Sequence, residues 1–147
     1  TSAADMADVV KSKAAEQDII IMTAAVADFC PSHPADEKIK KNDSSYESVI
    51  ELERTEDILS YLGAHKAKGQ LICGFSMETQ NMLENSKAKL AKKNADMIVA
   101  NNLKVAGAGF GTDTNVVTLI TADDCTELEI MDKSCVAARI MDRLLKM

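Results

Sequence analysis

Three observations predict an α/β fold with a mostly parallel sheet: short continuous apolar runs, helical periodicity between them, and turn residues at their junctions. The run Ile19-Ile20-Ile21-Met22 reads as a strand covered on both faces. Leu71-Ile72-Cys73-Gly74-Phe75 and the stretch 96–100 repeat the pattern. The segments that separate these runs include amphipathic stretches of helical length, the order expected when helices carry the chain from one parallel strand to the next.

Thr1 and Ser2 are capping residues for a first helix in which Met6, Val9 and Val10 recur at helical spacing toward Ala14. A strand over 18–23 follows. Beyond a lysine-bearing loop marked by Pro31 and Pro34, Ile50 and Leu52 alternate with Val49, Glu51 and Glu53, a strand with one partly wet face. Thr55 is expected to cap a short helix through Ile58, Leu59 and Leu62 that Gly63 closes. The strand from Leu71 ends at Ser76. A helix over 81–94 then turns Met82, Leu83, Ser86 and Leu90 inward and its lysines outward or toward a neighbouring cleft. The strand over 96–100 delivers Asn101 and Asn102 to its C-terminal end, where a functional loop is expected. Residues 116–120 and 128–130 flank Ala122-Asp123-Asp124 as an antiparallel edge hairpin. A closing helix packs Val136, Ile140 and Leu144 on the core.

At 147 residues and 46% hydrophobic content the chain supports one core, so a single domain over 1–147 is expected. It has no apolar run near the length of a bilayer crossing, and Asp5, Asp8 and Lys11 do not fit a signal peptide. A cytoplasmic location follows, with no membrane partner. Cys30, Cys73, Cys125 and Cys135 have no ligand spacing, and two of them are read as small hydrophobes in apolar surroundings of a reducing compartment. His33 and His65 lack partners at metal-ligand spacing.

Ala24-Ala25-Val26-Ala27-Asp28-Phe29 places small residues and then a carboxylate just past a strand's C-terminal end, where open α/β sheets bind ligands. Lys38, Lys40 and Lys41 follow on the loop. Lys89 and Lys93 stand four apart on one helix face with Lys92 beside them, and half of the lysines fall in these two segments. Lysines are ordinarily solvated surface, and alanines ordinarily close packing. Segregated cations in a chain of net charge −6 point instead to a local phosphate site, not to general nucleic-acid affinity. The glycine-rich run 107–111 resembles a dinucleotide fingerprint but has the wrong spacing and leads into a strand; a structural turn and a ligand-covering loop both remain readings. A nicotinamide-dependent oxidoreductase is disfavoured on the same ground.

Six segments occur in one order: Ala-Ala-Val-Ala-Asp-Phe at 24–29, Glu37-Lys38-Ile39-Lys40-Lys41, Arg54-Thr55-Glu56-Asp57-Ile58-Leu59, Gly74-Phe75-Ser76-Met77-Glu78-Thr79, Asp96-Met97-Ile98-Val99-Ala100-Asn101, and Gly109-Phe110-Gly111-Thr112-Asp113-Thr114-Asn115. With them the chain resembles phosphopantothenoylcysteine synthetase, a phosphopantothenate-cysteine ligase, over essentially its whole length. The closer likeness is to the synthetase half of the bifunctional bacterial coenzyme A enzyme, whose other half is a flavin-dependent decarboxylase. The resemblance implies a Rossmann-like three-layer α/β/α domain and a cytoplasmic homodimer. It implies a ligase that activates 4'-phosphopantothenate with CTP and Mg2+ as an acyl-cytidylate, releasing pyrophosphate, before the amine of L-cysteine displaces CMP.

Carried over residue by residue, the resemblance makes Lys38 the catalytic contact to the transition state and Lys89 and Lys93 the holders of the triphosphate. Ala24, Ala25 and Asp28 would contact the nucleotide, as would Glu56, Asp57, Ile58 and Leu59 at a helix start and Phe75, which by residue type alone could equally fill core. Asn101 would bind substrate or satisfy turn backbone. No residue is assigned to a metal and no flavin is expected here. Glu56 stands where the family usually has Pro, and Asn102 where it has Asp, so the segment from Glu56 is expected to meet ligand through backbone groups. The family's upstream Gly-Gly-Thr strand turn and Asn-containing segment are not in this sequence; the expectation is most of a synthetase domain without its N-terminal Gly-rich unit and with little activity by itself. A nucleotide-binding or regulatory domain without catalysis is the alternative. The apolar hairpin over 116–130 is the expected dimer edge.

Overall fold

The computed structural model describes residues 2–38, 49–78, 81–102, 109 and 111–147. Ser2 opens helix α1 (Ala3–Ala14) with a capping box: its Oγ accepts from the Asp5 N–H at 3.1 Å, and Asp5 accepts from the Ser2 N–H at 2.8 Å. Strand β1 (Ile19–Met22) follows, then a short antiparallel ladder of β2 (Phe29–Pro31) with β3 (Leu52–Arg54). Helix α2 (Ile58–His65), β4 (Leu71–Glu78), α3 (Met82–Lys92) and β5 (Met97–Asn102) continue the alternation. Strand β6 (Thr114–Asn115) pairs with β9 (Met131–Asp132); between them lie β7 (Val117–Ile120) and β8 (Cys125–Glu127), and α4 (Lys133–Leu144) ends the fold.

Five strands form the main sheet in the order β1-β4-β5-β7-β8. β1, β4 and β5 run parallel, with Ile21 opposite Cys73 and Cys73 opposite Met97; β7 and β8 join antiparallel. Met97, Ile98, Val99 and Ala100 are wholly buried, which explains why this strand reads as unbroken apolar sequence. Strand alternation sends Cys73, Met97, Val99, Val117 and Leu119 toward Val136, Ile140 and Leu144 of α4. Ile72 and, less deeply, Ile20 and Met22 meet Ala7 of α1 and Ile58 and Leu62 of α2 on the opposite face. The sheet is thus the middle layer of three, the Rossmann-like architecture expected.

Several local expectations are corrected. Asp57, not Thr55, caps α2, its carboxylate accepting from the Ser60 N–H at 2.9 Å. Gly63 lies inside α2 instead of closing it; a Cβ there would stand 1.8 Å from the Lys93 carbonyl oxygen, so the helix crossing requires the glycine. Leu83 is 46% exposed while Ser86 and Leu90 are buried. The strand pairing with β7 is Cys125–Glu127, not 128–130, with Thr118 opposite Glu127. That outer strand is exposed and polar, the apolar residues of β7 being buried inside the sheet, while Ile130 beyond it is 51% exposed. Cys73 alone of the cysteines is buried; Cys125 and Cys135 are exposed. Burial and the nearby Asp96 charge push the Cys73 thiol up to about 12.

Candidate functional site

Met22 ends β1, and the chain then turns through Ala24, Val26, Ala27 and Asp28 along the mouth of a cleft of about 190 Å³. Small side chains here leave backbone accessible, as close approach by a ligand requires. Thr55 closes the turn against the neighbouring segment: its N–H donates to the Asp28 carbonyl at 3.0 Å and its Oγ1 donates to the Ala27 carbonyl. Sequence reasoning missed this role of Thr55, whose partners lie well over twenty residues upstream. It also missed Met22, Val26 and Ala27 as cleft residues.

The second wall is the start of α2. Glu56, Asp57, Ile58 and Leu59 all line the cleft, Ile58 and Leu59 also packing into the core beside Ile72. Phe75, half-buried on β4, faces the cleft and touches the α4-side core, so its core and site readings are both realised. Gly74 beside it admits Leu59, whose Cδ2 would be 2.6 Å from a Cβ at that position.

Two lysines of the α3 region complete the lining. Lys89 donates to the Phe75 carbonyl at 2.9 Å. Lys93 forms an ion pair with Asp57 and donates to Ser60 Oγ at 3.0 Å. Ser86, one turn before Lys89, bonds Ser76 of β4 at 2.8 Å in a fully buried contact that fixes the helix against the sheet. Partial burial alone would raise the Asp57 carboxyl; the Lys93 ammonium and the Ser60 N–H outweigh it and hold the group below the ordinary carboxylate range.

The structure therefore brings together Ala24, Asp28, Glu56, Asp57, Ile58, Leu59, Phe75, Lys89 and Lys93. Ala25, Lys38 and Asn101 are not in the cleft lining: Ala25 and Lys38 are exposed, and Asn101 accepts from the Asn115 amide at 2.8 Å. Lys40 and Lys41 lie outside the described residues, as does most of the glycine-rich run. Among the described residues, no cluster of His, Cys, Asp and Glu is arranged to hold a metal by itself. The cleft does carry Asp28, a carboxylate with no ion pair among them, which suits Mg2+, an ion that takes few protein ligands and arrives with phosphates. No described helix is long and apolar enough to cross a membrane. Chemically the arrangement offers two ammonium groups, a helix N-terminus and exposed backbone around one cleft, a set suited to phosphates.

Comparison with known proteins agrees in sequence and in fold. The chain is 48% identical over 144 residues to the coenzyme A biosynthesis bifunctional protein CoaBC of Bacillus subtilis, covering 97% of itself and 35% of that relative. It thus spans about a third of the relative's length. A crystal structure of the C-terminal domain of a coenzyme A biosynthesis bifunctional protein CoaBC superposes with a TM-score of 0.78 at 41% identity, over 100% of this chain and 65% of the other. A Cab2 mutant in complex with phosphopantothenate-cysteine shares the fold at a TM-score of 0.69 and 18% identity, over 99% of this chain and 51% of the other. Residues 1–147 match throughout, and the chain belongs to the family of the DNA/pantothenate metabolism flavoprotein C-terminal domain.

Proposed function

We propose that this chain forms the CTP-binding part of a phosphopantothenate-cysteine ligase of coenzyme A biosynthesis. The observation that carries the reading is the meeting of Asp28, the 56–59 segment, Phe75, Lys89 and Lys93 around one cleft at the C-terminal end of β1. The name of the Bacillus subtilis relative and the phosphopantothenate-cysteine bound by the Cab2 mutant support the substrate class.

In this reading the cleft, smaller than a whole nucleotide, takes part of CTP while the remainder extends from its open mouth. Lys89 and Lys93 exchange the Phe75 carbonyl and the Asp57 and Ser60 oxygens for phosphate oxygens, which carry more charge than the partners released. Asp28 would hold Mg2+, which when bound screens the phosphates. Exposed Lys38 lies on the chain beyond β2 and would approach the α-phosphorus as the phosphopantothenate carboxylate attacks it, countering charge that develops there. Pyrophosphate leaves, and the cysteine amine then attacks the acyl-cytidylate carbonyl and expels CMP. Asn101, fixed by Asn115 at the end of β5, is the proposed substrate contact.

A homodimer and association with a flavin-dependent decarboxylase belong to the same proposal, the latter drawn from the word bifunctional in the relative's name. Exposed Phe29 and Leu52 on the β2–β3 ladder, with exposed Ile50 just before β3, are an apolar surface suited to the dimer.

Calorimetric titration of the chain with CTP and with ATP, each with Mg2+, tests the nucleotide, and CMP release with phosphopantothenate and cysteine tests the ligation. Preference for CTP supports the reading. Equal affinity for the two nucleotides would overturn the choice of CTP, and absence of binding to either would overturn the site. Little CMP release is expected from this chain by itself, and near-normal turnover would overturn that expectation.

A further inference from the structure

Glu56 is a third carboxylate, beside Asp28 and Asp57, in a cleft read as a phosphate site whose cations are Lys89 and Lys93, and its charge tips the lining toward repelling a polyanion. Its charge is met from behind the wall. Lys11 of α1, forty-five residues away in sequence, forms an ion pair with Glu56 and does not itself line the cleft. The Lys11 Nζ also lies 4.7 Å from the centroid of the Tyr61 ring, and that ring stacks on His65 at 4.1 Å. Two partners on α2 and its leading segment thus fix the ammonium, whose side chain is 26% exposed against 45% for Glu56. The Glu56 hydrogen bond is the main reason the Lys11 ammonium holds its proton more tightly than usual.

Resting on the nucleotide reading above, we infer that Lys11 is a positioning residue for triphosphate binding: it neutralises Glu56 and draws that carboxylate back, so that the remaining lining, Asp28 and Asp57 against Lys89 and Lys93, meets the phosphates without net negative charge. An exposed ion pair contributes little to folding. The pair's effect is therefore expected in the charge dependence of binding and hardly in stability, which separates this role from simple tethering of α1.

The test is calorimetric titration of the chain with three probes of graded charge, CTP, CMP and cytidine, for the unsubstituted protein, Lys11→Met, Glu56→Gln, the double variant and Lys93→Ala. Lys11→Met is expected to weaken CTP binding by roughly three- to tenfold, the size of one uncompensated charge several ångströms from a polyanion near a protein surface. CMP should lose less and cytidine nothing. Adding Glu56→Gln should restore CTP affinity to within about twofold of the unsubstituted protein, since no charge is left to neutralise. Equal weakening of all three probes, unchanged CTP affinity in Lys11→Met, or failure of Glu56→Gln to rescue would overturn the inference. If Lys93→Ala weakens CTP binding while Lys11→Met does not, this inference alone falls. If the unsubstituted chain binds no CTP, the functional reading falls and takes the inference with it.

Discussion

Two Lys–Asp pairs of the same chemistry sit in opposite settings. Lys66 and Asp96 meet at 2.8 Å beside the start of β5, with side chains 22% and 20% exposed, and the second Asp96 oxygen accepts from the Ile72 N–H at 2.8 Å. Lys93 and Asp57 meet on the cleft, where the lysine is 12% exposed but the carboxylate 49%, and the second Asp57 oxygen caps α2. Both carboxylates thus anchor backbone and hold a lysine. The difference is what lies beyond them. Gln70 donates to the Ala14 and Gln17 carbonyls at 2.7 and 2.6 Å near the first pair, closing that end with internal bonds. The second pair faces a cleft that a charged ligand can enter. One arrangement stabilises the fold; the other keeps a cation ready for exchange.

The sharpest way to break this comparison is Asp96→Ala. It strands the Lys66 ammonium and the Ile72 N–H together, and is expected to cost about 3 kcal/mol of stability by urea denaturation while leaving nucleotide affinity intact. Gly63→Ala comes next, because its Cβ meets the Lys93 backbone and α2 must move from α3. A loss of about 2 kcal/mol is expected, together with weakened CTP binding as Lys93 shifts from Asp57. Asn94, at φ 47°, donates to the Gly63 carbonyl at 2.7 Å and would be displaced with it.

The sequence makes the central layers legible because apolar content and periodicity agree there: Ile19–Met22, the buried run from Met97 and the Val136, Ile140 and Leu144 stripe all take their expected places. Ladders of two or three residues are not legible. The alternation at 49–53 announces a strand, found at Leu52–Arg54 with all three residues exposed, but its pairing with Phe29–Pro31 across a long loop has no local signal. The hairpin partner of β7 falls at Cys125–Glu127 because a tight turn, anchored by Thr121 and Asp124, sets the register, and hydrophobicity at 128–130 does not. At the site, the lysines four apart on α3 signal a shared face in advance, whereas Lys11 and Thr55 act through partners remote in sequence. Such contacts have no period to read.

Lys93→Ala sharpens the comparison from the cleft side. Loss of one charged donor to phosphate is expected to weaken CTP binding by roughly ten- to hundredfold. Thermal stability should change little, since Asp57 keeps its Ser60 cap and about half its surface in solvent. Lys66→Ala is the control that should reverse the two readouts.

The smallest effect is a pH dependence confined to the cleft pair. The Asp57 carboxyl is held below its ordinary range in the folded chain, so the folded state binds this proton less tightly than the unfolded one, where an Asp titrates near about 3.9. The stability it contributes is fully present above that unfolded value and is lost as pH falls through the folded one. Half exposure of the carboxylate and solvent screening keep the contribution below about 1 kcal/mol. Urea denaturation of the chain and of Asp57→Asn from pH 6 down to pH 3 isolates it: the two curves should run parallel above about pH 5 and converge below about pH 4. A constant gap across that range would mean that the side chain acts by shape and capping alone, and that the Lys93 charge is held in the cleft by something other than Asp57.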